Sequence, residues 1–274
     1  MEARKIIITG GATRIGAAIA KKLSGPNKEI VIHFNKSRSK AEKLKKELSE
    51  NGTKIYLIKG DLNKENDINK IMKFSKLKLK YFDCLINNAS LFENDKLENF
   101  TSKSWDKHIN INLRSPALLS KSFAKNAKGL NNNIINIIDQ RVFKLTPYFF
   151  SYTISKTGLY TLTKTSAMSL APKIRVNGIA PGPTIKNQRQ SEKHFRKQYL
   201  ATPLKRQVDV KQICNAVDFF IKSRSITGQV LAIDSGQSLN WQTPDVLGKE
   251  WKKIILKLLK LMENPFSITK KRSL

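Results

Sequence analysis

Cysteine is nearly absent: Cys84 and Cys214 stand far apart, each inside an apolar segment. Two such residues make neither a disulfide framework nor a cysteine-based zinc site, and they fit a reducing compartment. Long apolar runs are missing too. None reaches the roughly 18 residues that a membrane-spanning helix needs. The stretch Ile6-Ile7-Ile8 after Met1–Lys5 is too short for the apolar core of a signal peptide, so a cytoplasmic protein is expected. Negative charge is scarce: 21 Asp and Glu stand against 51 Lys and Arg, for a net charge of +30. The excess is spread out, with 43 basic and 19 acidic side chains in residues 1–248 and 8 and 2 in residues 249–274. Lysine supplies 40 of the cations, and lysine, asparagine and isoleucine codons are AT-rich, so base composition accounts for much of the bias. Aromatic and basic residues do not interleave as in single-strand binders. No specific nucleic-acid partner is therefore expected, and the diffuse positive field would draw in anionic small molecules and cofactors.

What the sequence does contain is an alternation. Apolar residues make up 40% of the 274 positions, and a chain of this length buries roughly 75% of the surface its unfolded form exposes. Short β-branched runs read as strands at Lys5–Ile8, Glu29–Phe34, Lys54–Ile58, Phe82–Asn87, Asn133–Ile138, Ile174–Ile179 and Val230–Ile233. Helical spacing of apolar residues intervenes at Ile15–Leu23, Ser39–Leu48, Ile68–Leu77, Trp105–Lys125 (interrupted near Pro116), Tyr152–Leu170 and Val210–Ile221. This rhythm specifies an α/β, three-layer, doubly wound Rossmann fold with a seven-stranded parallel sheet flanked by helices, spanning residues 1–241. Within it, Pro181–Arg206 is polar and punctuated by proline. It falls at the carboxyl edge of the sheet, so residues 183–206 are expected as a mobile lid. Residues 242–274 form a basic extension, where Trp251, Ile254, Ile255, Leu258, Leu259 and Met262 lie on one stripe of an amphipathic helix. Such a helix docks on the body or on a neighbouring subunit, with contact to an anionic membrane surface as the alternative.

After the first strand comes Thr9-Gly10-Gly11-Ala12-Thr13-Arg14-Ile15-Gly16, and then a helix. Glycines let the backbone turn tightly and approach a pyrophosphate, whose charge then sits at the helix N-terminus. Gly10, Thr13, Arg14, Ile15 and Gly16 are accordingly cofactor-binding candidates. A site that prefers NAD places Asp or Glu after the second strand, to bind the ribose 2′-hydroxyl. Here that segment is His33-Phe34-Asn35-Lys36-Ser37-Arg38, without an acid. Cations and hydroxyls suit a 2′-phosphate, and Arg14 adds another cation. NADPH is therefore expected, with His33, Phe34, Asn35 and Ser37 near its ribose.

Tyr152 and Lys156 are four apart at the start of a predicted helix, so both project from one face. An ammonium beside a phenol stabilises the phenolate and lowers its pKa, which makes tyrosine a usable acid or base. Tyr160 and Lys164 repeat the spacing two turns further on, so the pair alone is weak. The ordered set is not. Thr-Gly-x3-Arg-Ile-Gly at 9–16, Asp61-Leu62, Asn87-Asn88-Ala89-Ser90, Asn112, Tyr152-x3-Lys156 and Pro181-Gly182 together resemble the short-chain dehydrogenase/reductase family over about residues 4–241. The resemblance implies that Tyr152 protonates the product, that Lys156 holds both ribose and tyrosine, and that Asn112 organises a water relay. It implies too that Asp61 and Leu62 meet the adenine, and that Asn88, Ala89, Ser90, Pro181, Gly182 and Thr184 line the cofactor. A small-molecule substrate and a homo-oligomer, dimer or tetramer, belong to the same picture.

Two departures narrow the resemblance. Arg14 stands where the family usually has a glycine, and Asp139, 13 residues before Tyr152, stands where it usually has a catalytic serine. Both changes, and Asn-Ala-Ser-x-Phe at 88–92, resemble the pteridine and dihydromonapterin reductases, where an aspartate shares proton delivery with the tyrosine. By that likeness Ser90, Phe92, Asp139 and Tyr152 meet the substrate, and Phe92 and the nicotinamide sandwich a flat heterocycle. Burial would raise the carboxyl pKa of Asp139 and Lys156 would lower it, which leaves the sign of the shift open. The first functional reading is thus NADPH-dependent reduction of a dihydropterin to a tetrahydropterin. The alternatives are reduction of a carbonyl or 3-oxoacyl thioester, which the missing serine opposes, and a non-catalytic dinucleotide sensor, which has no need of the tyrosine acid. Leu91, Phe143 and Tyr148 are candidates to shape the pocket. His108 and His194 sit among polar neighbours in the sequence, without ligand-spaced partners, so no metal or catalytic role is expected for them.

Overall fold

Three consecutive isoleucines begin the sheet. In the computed structural model, which describes residues 4–187 and 190–241, Ile6, Ile7 and Ile8 of β1 (Lys5–Ile8) are wholly buried. Successive side chains on a strand point to opposite faces. Ile6 and Ile8 accordingly join the core under α1 (Arg14–Leu23), α2 (Arg38–Ser49) and α8 (Val210–Lys222). Ile7 joins the core under α3 (Glu65–Leu79), α5 (Ser115–Asn126) and α6 (Phe150–Leu170). A sheet covered on both faces favours apolar, often β-branched residues on both sides of a strand, which is why β1 reads as a continuous apolar run.

The remaining strands are β2 (Glu29–Phe34), β3 (Lys54–Lys59), β4 (Cys84–Asn87), β5 (Asn132–Ile137), β6 (Ile174–Pro181) and β7 (Val230–Ile233). All pair in parallel in the order β3-β2-β1-β4-β5-β6-β7. The expected seven-stranded three-layer fold is what forms. The order reverses between β1 and β4, and the crevice outside the carboxyl ends of those two strands is where such sheets take ligands.

Beyond shifts of a few residues at element ends, local features differ from expectation in three places. β4 begins at Cys84 rather than Phe82, because the Asp83 carboxylate takes the backbone N–H groups of Arg4 (3.0 Å) and Lys5 (2.9 Å). The long helix near Pro116 is α4 (Ser102–Ile109), a π-turn at Asn110–Arg114, and then α5. Proline has no N–H to continue the α ladder, and the register slips by one residue just before it. Inside the expected lid lies α7 (Glu192–Leu200), capped by Ser191 accepting from the His194 N–H at 3.2 Å. Of its residues only Phe195 is buried, too sparse an apolar pattern to announce a helix. The chain divides into units 1–238 and 239–274, and the expected helix of the basic extension at 242–274 lies outside the described residues. Among the described residues, no helix is long and apolar enough to cross a membrane.

Candidate active site

The turn after β1 is built for close approach. Gly10 has φ +59°, and a Cβ there would meet the Ala89 Cα at 3.0 Å. Gly16 is tighter still, with the Asn88 Nδ2 only 2.5 Å from where its Cβ would be. Asn88 ties the turn to β4 by donating to the carbonyls of Thr9 (2.9 Å) and Gly10 (3.1 Å). Ala89 N–H donates to the Thr9 hydroxyl at 3.1 Å. α1 then starts after Thr13, whose side chain makes no cap, and has no acid in its first turn. Uncapped N–H groups at a helix start favour an anion, so the turn fits a pyrophosphate.

Arg14 takes the left-handed backbone conformation (φ 54°) where the family's pattern has glycine, at a cost of roughly 1–2 kcal/mol for a side-chain-bearing residue. Its guanidinium crosses the crevice to the carbonyls of Ile185 (2.8 Å) and Lys186 (2.9 Å). The arginine thus joins the glycine turn to the start of the expected lid. Thr184 and Gly182 lie just before this contact, and the Thr184 hydroxyl donates to the Gly182 carbonyl at 3.0 Å. Gly182 is needed at its place: a Cβ there would come within 2.5 Å of the Asp234 Cα.

His33 and Phe34, expected at the ribose, turn inward instead. His33 is 2% exposed; its Nδ1 accepts the Gly10 N–H at 3.2 Å and its Nε2 donates to the Gly60 carbonyl at 3.1 Å. With Nδ1 accepting an N–H the ring is neutral, and burial lowers its pKa in the same sense, so it braces the glycine turn rather than meeting a phosphate as a cation. Phe34 packs in the core under α1. What faces solvent after β2 is Asn35, Lys36, the half-buried Ser37 and Arg38, which pairs with Glu42 at 2.9 Å. Leu62 is core, packed with Ile58 and Ile68, while Asp61 caps its own turn by accepting the Asn63 N–H at 3.0 Å.

At the head of α6 the predicted catalytic groups do converge. The Tyr152 hydroxyl donates to Asp139 Oδ2 at 2.8 Å. The other carboxylate oxygen accepts the Arg141 N–H at 2.9 Å and so caps the short 3₁₀ turn Gln140–Val142. Lys156 is 1% exposed, donates to the Ile137 carbonyl at 2.8 Å, and lies 5.8 Å from the Tyr152 ring centre. The phenol is shifted in the direction opposite to the expected lowering. Burial, followed by the charge and hydrogen bond of Asp139, holds Tyr152 well above the ordinary tyrosine value. Burial pushes Lys156 down to about 8, against a smaller upward pull from Asp139. Tyr160 and Lys164 show how the two pairs differ: Lys164 lies exposed on the outer face, 4.6 Å over its tyrosine ring.

Phe92 forms the wall beside this group. Its ring meets Tyr152 edge-on at 4.7 Å and stacks on Phe149 at 4.5 Å with 5° between planes. The Arg141 guanidinium lies 4.7 Å from the Phe149 ring centre and 5.5 Å from that of Phe92. Asn112, in the π-turn and wholly buried, grips the backbone just before Phe92. It accepts from Leu91 N–H at 2.8 Å and donates to Leu91 carbonyl at 2.9 Å and to Ser155 at 3.0 Å. Ser90 adds a 3.2 Å bond to the same amide. Phe143 and Tyr148 are far more open, at 42% and 49% exposure.

Sequence reasoning missed a second layer. His108, judged from its polar neighbours in the chain, is wholly buried behind Tyr152, with ring centres 6.2 Å apart. It joins Ser151 and, through that serine, Asp95, neither of which carries a motif. Arg141 likewise had no signal beyond its place two residues after Asp139.

Residues 4–197 match the family model described as short chain dehydrogenase. The 3-oxoacyl-[acyl-carrier-protein] reductase FabG of Buchnera aphidicola subsp. Baizongia pistaciae is 34% identical over 240 residues, 85% of this chain and 97% of that protein. Among solved structures, FolM alternative dihydrofolate reductase 1 from Brucella canis, complexed with NADP, is similar with a TM-score of 0.84 and 40% identity, covering 88% of this chain and 96% of that one. The Brucella suis protein of the same description, also in complex with NADP, gives 0.85 and 39% over 89% and 98% of the two chains.

Proposed function

Because this chain belongs to the short chain dehydrogenase family, we propose that it is an NADPH-dependent reductase of a dihydropterin. One observation carries the reading: the carboxylate of Asp139, where the family's pattern has serine, accepts the Tyr152 hydroxyl at 2.8 Å beside the aromatic face of Phe92. Reduction of a ring C=N adds hydride to carbon and a proton to nitrogen, and bound NADPH supplies the hydride. Asp139 and Tyr152 act together as the acid unit for the nitrogen. Phe92, held by Asn112 through Leu91, aligns a flat ring by stacking. The uncapped start of α1 holds the pyrophosphate, and Asn35, Ser37 and Arg14 serve the 2′-phosphate. The likeness to the two FolM structures supports this choice of substrate, and the 34% identity to FabG supports a 3-oxoacyl thioester as second reading. NADPH oxidation measured with a dihydropterin, an acetoacetyl thioester and a simple ketone separates them. The dihydropterin is expected to be turned over fastest, and a faster thioester would transfer the assignment to the second reading.

NADPH is expected to exceed NADH in kcat/KM by at least about tenfold, the scale of one charge-assisted contact at about 1.4 kcal/mol. Replacing Arg14 and Ser37 together by alanine erodes that preference, and equal efficiency of the wild type with both cofactors would refute the assignment of these residues. The same reading includes a homo-oligomer. In its support, β7 at the sheet edge leaves Leu231 43% exposed, and neighbouring α8 leaves Phe219 50% exposed.

A further inference from the structure

The N-terminus of α6 has no cap of its own. Phe149, at the cap position, takes the left-handed conformation (φ 58°) and offers no side-chain acceptor. The first N–H groups of a helix need partners from elsewhere, and those of Phe149, Phe150 and Ser151 find them on one neighbouring loop. Phe149 N–H donates to Asn94 Oδ1 at 3.2 Å, Phe150 N–H to the Asp95 carbonyl at 3.2 Å, and Ser151 N–H to Asp95 Oδ1 at 3.1 Å. The Ser151 hydroxyl closes on the second Asp95 oxygen. Behind it, His108 accepts the Glu93 N–H on Nε2 (3.3 Å), which leaves the hydrogen on Nδ1, facing the Ser104 carbonyl at 2.9 Å and Ser151 Oγ at 3.0 Å. Asp95, His108 and Ser151 are each at most 7% exposed. A carboxylate at this end of a helix is also favoured by the helix dipole.

Two parts of the active site hang on this cluster. Phe92 lies three residues before Asp95 on the same loop, and Tyr152 follows Ser151 directly. We propose that Asp95 is the positioning residue that sets Tyr152 against Asp139, by fastening the first turn of α6 to the loop that carries Phe92. Asn112 fastens the same two elements from the other side, through Leu91 and Ser155. Phe92 therefore stands between two clamps, and loosening the Asp95 clamp lets the helix start shift while Asn112 still holds the loop. The role does not depend on which substrate class the site takes.

Asp95→Ala removes both acceptors; Asp95→Asn keeps one for the Ser151 N–H and is the milder variant. Crystals of each holoenzyme grown with NADP read the geometry without any substrate. In Asp95→Ala the Tyr152–Asp139 hydrogen bond is expected to open beyond about 3.5 Å, the limit for such a bond. Turnover of whichever dihydropterin or acetoacetyl thioester the wild type reduces falls at least about tenfold, while KM for NADPH stays within about twofold, the split that marks loss at the reacting centre alone. Asp95→Asn falls between wild type and alanine, and it carries the test by the same criteria if the alanine variant does not fold. An intact 2.8 Å bond with near wild-type turnover overturns the proposal. So does a loss of NADPH affinity in step with turnover, which would mark Asp95 as a general stabiliser of the fold.

Discussion

Replacing Tyr152 by phenylalanine is expected to lower turnover by about 10² to 10⁴, the span of general-acid loss, with NADPH affinity nearly unchanged. The ring stays where it is: its contacts with Phe92 at 4.7 Å and with His108 at 6.2 Å do not involve the hydroxyl. What goes is the proton donor on Asp139 Oδ2, at 2.8 Å. The Asp139 side chain keeps 18% exposure, so water can take the place of the phenol and the stability cost stays near 1 kcal/mol. The pH dependence sharpens the test. Tyr152, held well above its ordinary pKa by burial and by Asp139, stays protonated through the working range. Lys156, pushed down to about 8 by burial, loses its proton as pH rises through that value. kcat/KM for NADPH reports the free enzyme, so its alkaline fall is expected near pH 8 and belongs to the lysine. The residual activity of Tyr152→Phe keeps that limb, and Lys156→Met loses it. Stability moves the other way: between about 8 and the ordinary 10.5 the unfolded chain binds more protons at this lysine than the folded one. Unfolding free energy therefore gains from Lys156 as pH rises across that window. Retention of more than about a tenth of wild-type turnover by Tyr152→Phe would remove the tyrosine from the chemistry.

Much of this was legible in the sequence, and the boundary between what was and was not is physical. β1, β2 and β7 fall where their β-branched runs end, because each run is bounded by glycine, polar or charged residues that break a strand. Tyr152 and Lys156 were readable from their spacing at the head of a helix, and Asp139 only through the resemblance to the pteridine and dihydromonapterin reductases. Features made by distant partners were not. Asp95 meets Ser151 across 56 positions and His108 meets it across 43, and no local pattern announces either. His33 misled for the same reason: a histidine at the end of β2 looks like a cation for phosphate until Gly10 and Gly60 are seen to occupy both ring nitrogens. The Tyr152–Lys156 spacing promised a depressed phenol, yet burial and a carboxylate at hydrogen-bond distance raise it, while the ammonium is turned toward Ile137. α7 was hidden because a helix with a single buried side chain leaves almost no periodicity to read.

Asp139→Asn is expected to reduce dihydropterin turnover by a factor of similar order to Tyr152→Phe, again with cofactor affinity intact. Asparagine keeps an oxygen for the Arg141 N–H, now bound at 2.9 Å, so the 3₁₀ turn after β5 survives. The other half of the side chain becomes an NH₂ group facing the Tyr152 oxygen, now 2.8 Å from a carboxylate. That reverses the hydrogen bond: the phenol changes from donor to acceptor, and the charge that raises its pKa is gone. The acid unit is thereby dismantled without a change of shape, which separates its chemistry from its role as a cap. Asp139→Ser makes a different cut. It supplies a hydroxyl where the family's pattern has one, so it should depress dihydropterin reduction more than any reduction of an acetoacetyl thioester. Measuring both substrates with wild type, Asp139→Asn and Asp139→Ser gives a ratio that folding defects do not mimic, since a damaged fold lowers both rates together. If Asp139→Asn reduces dihydropterin at the wild-type rate, the aspartate is only the cap of its turn. The pterin assignment then loses its main mechanistic argument.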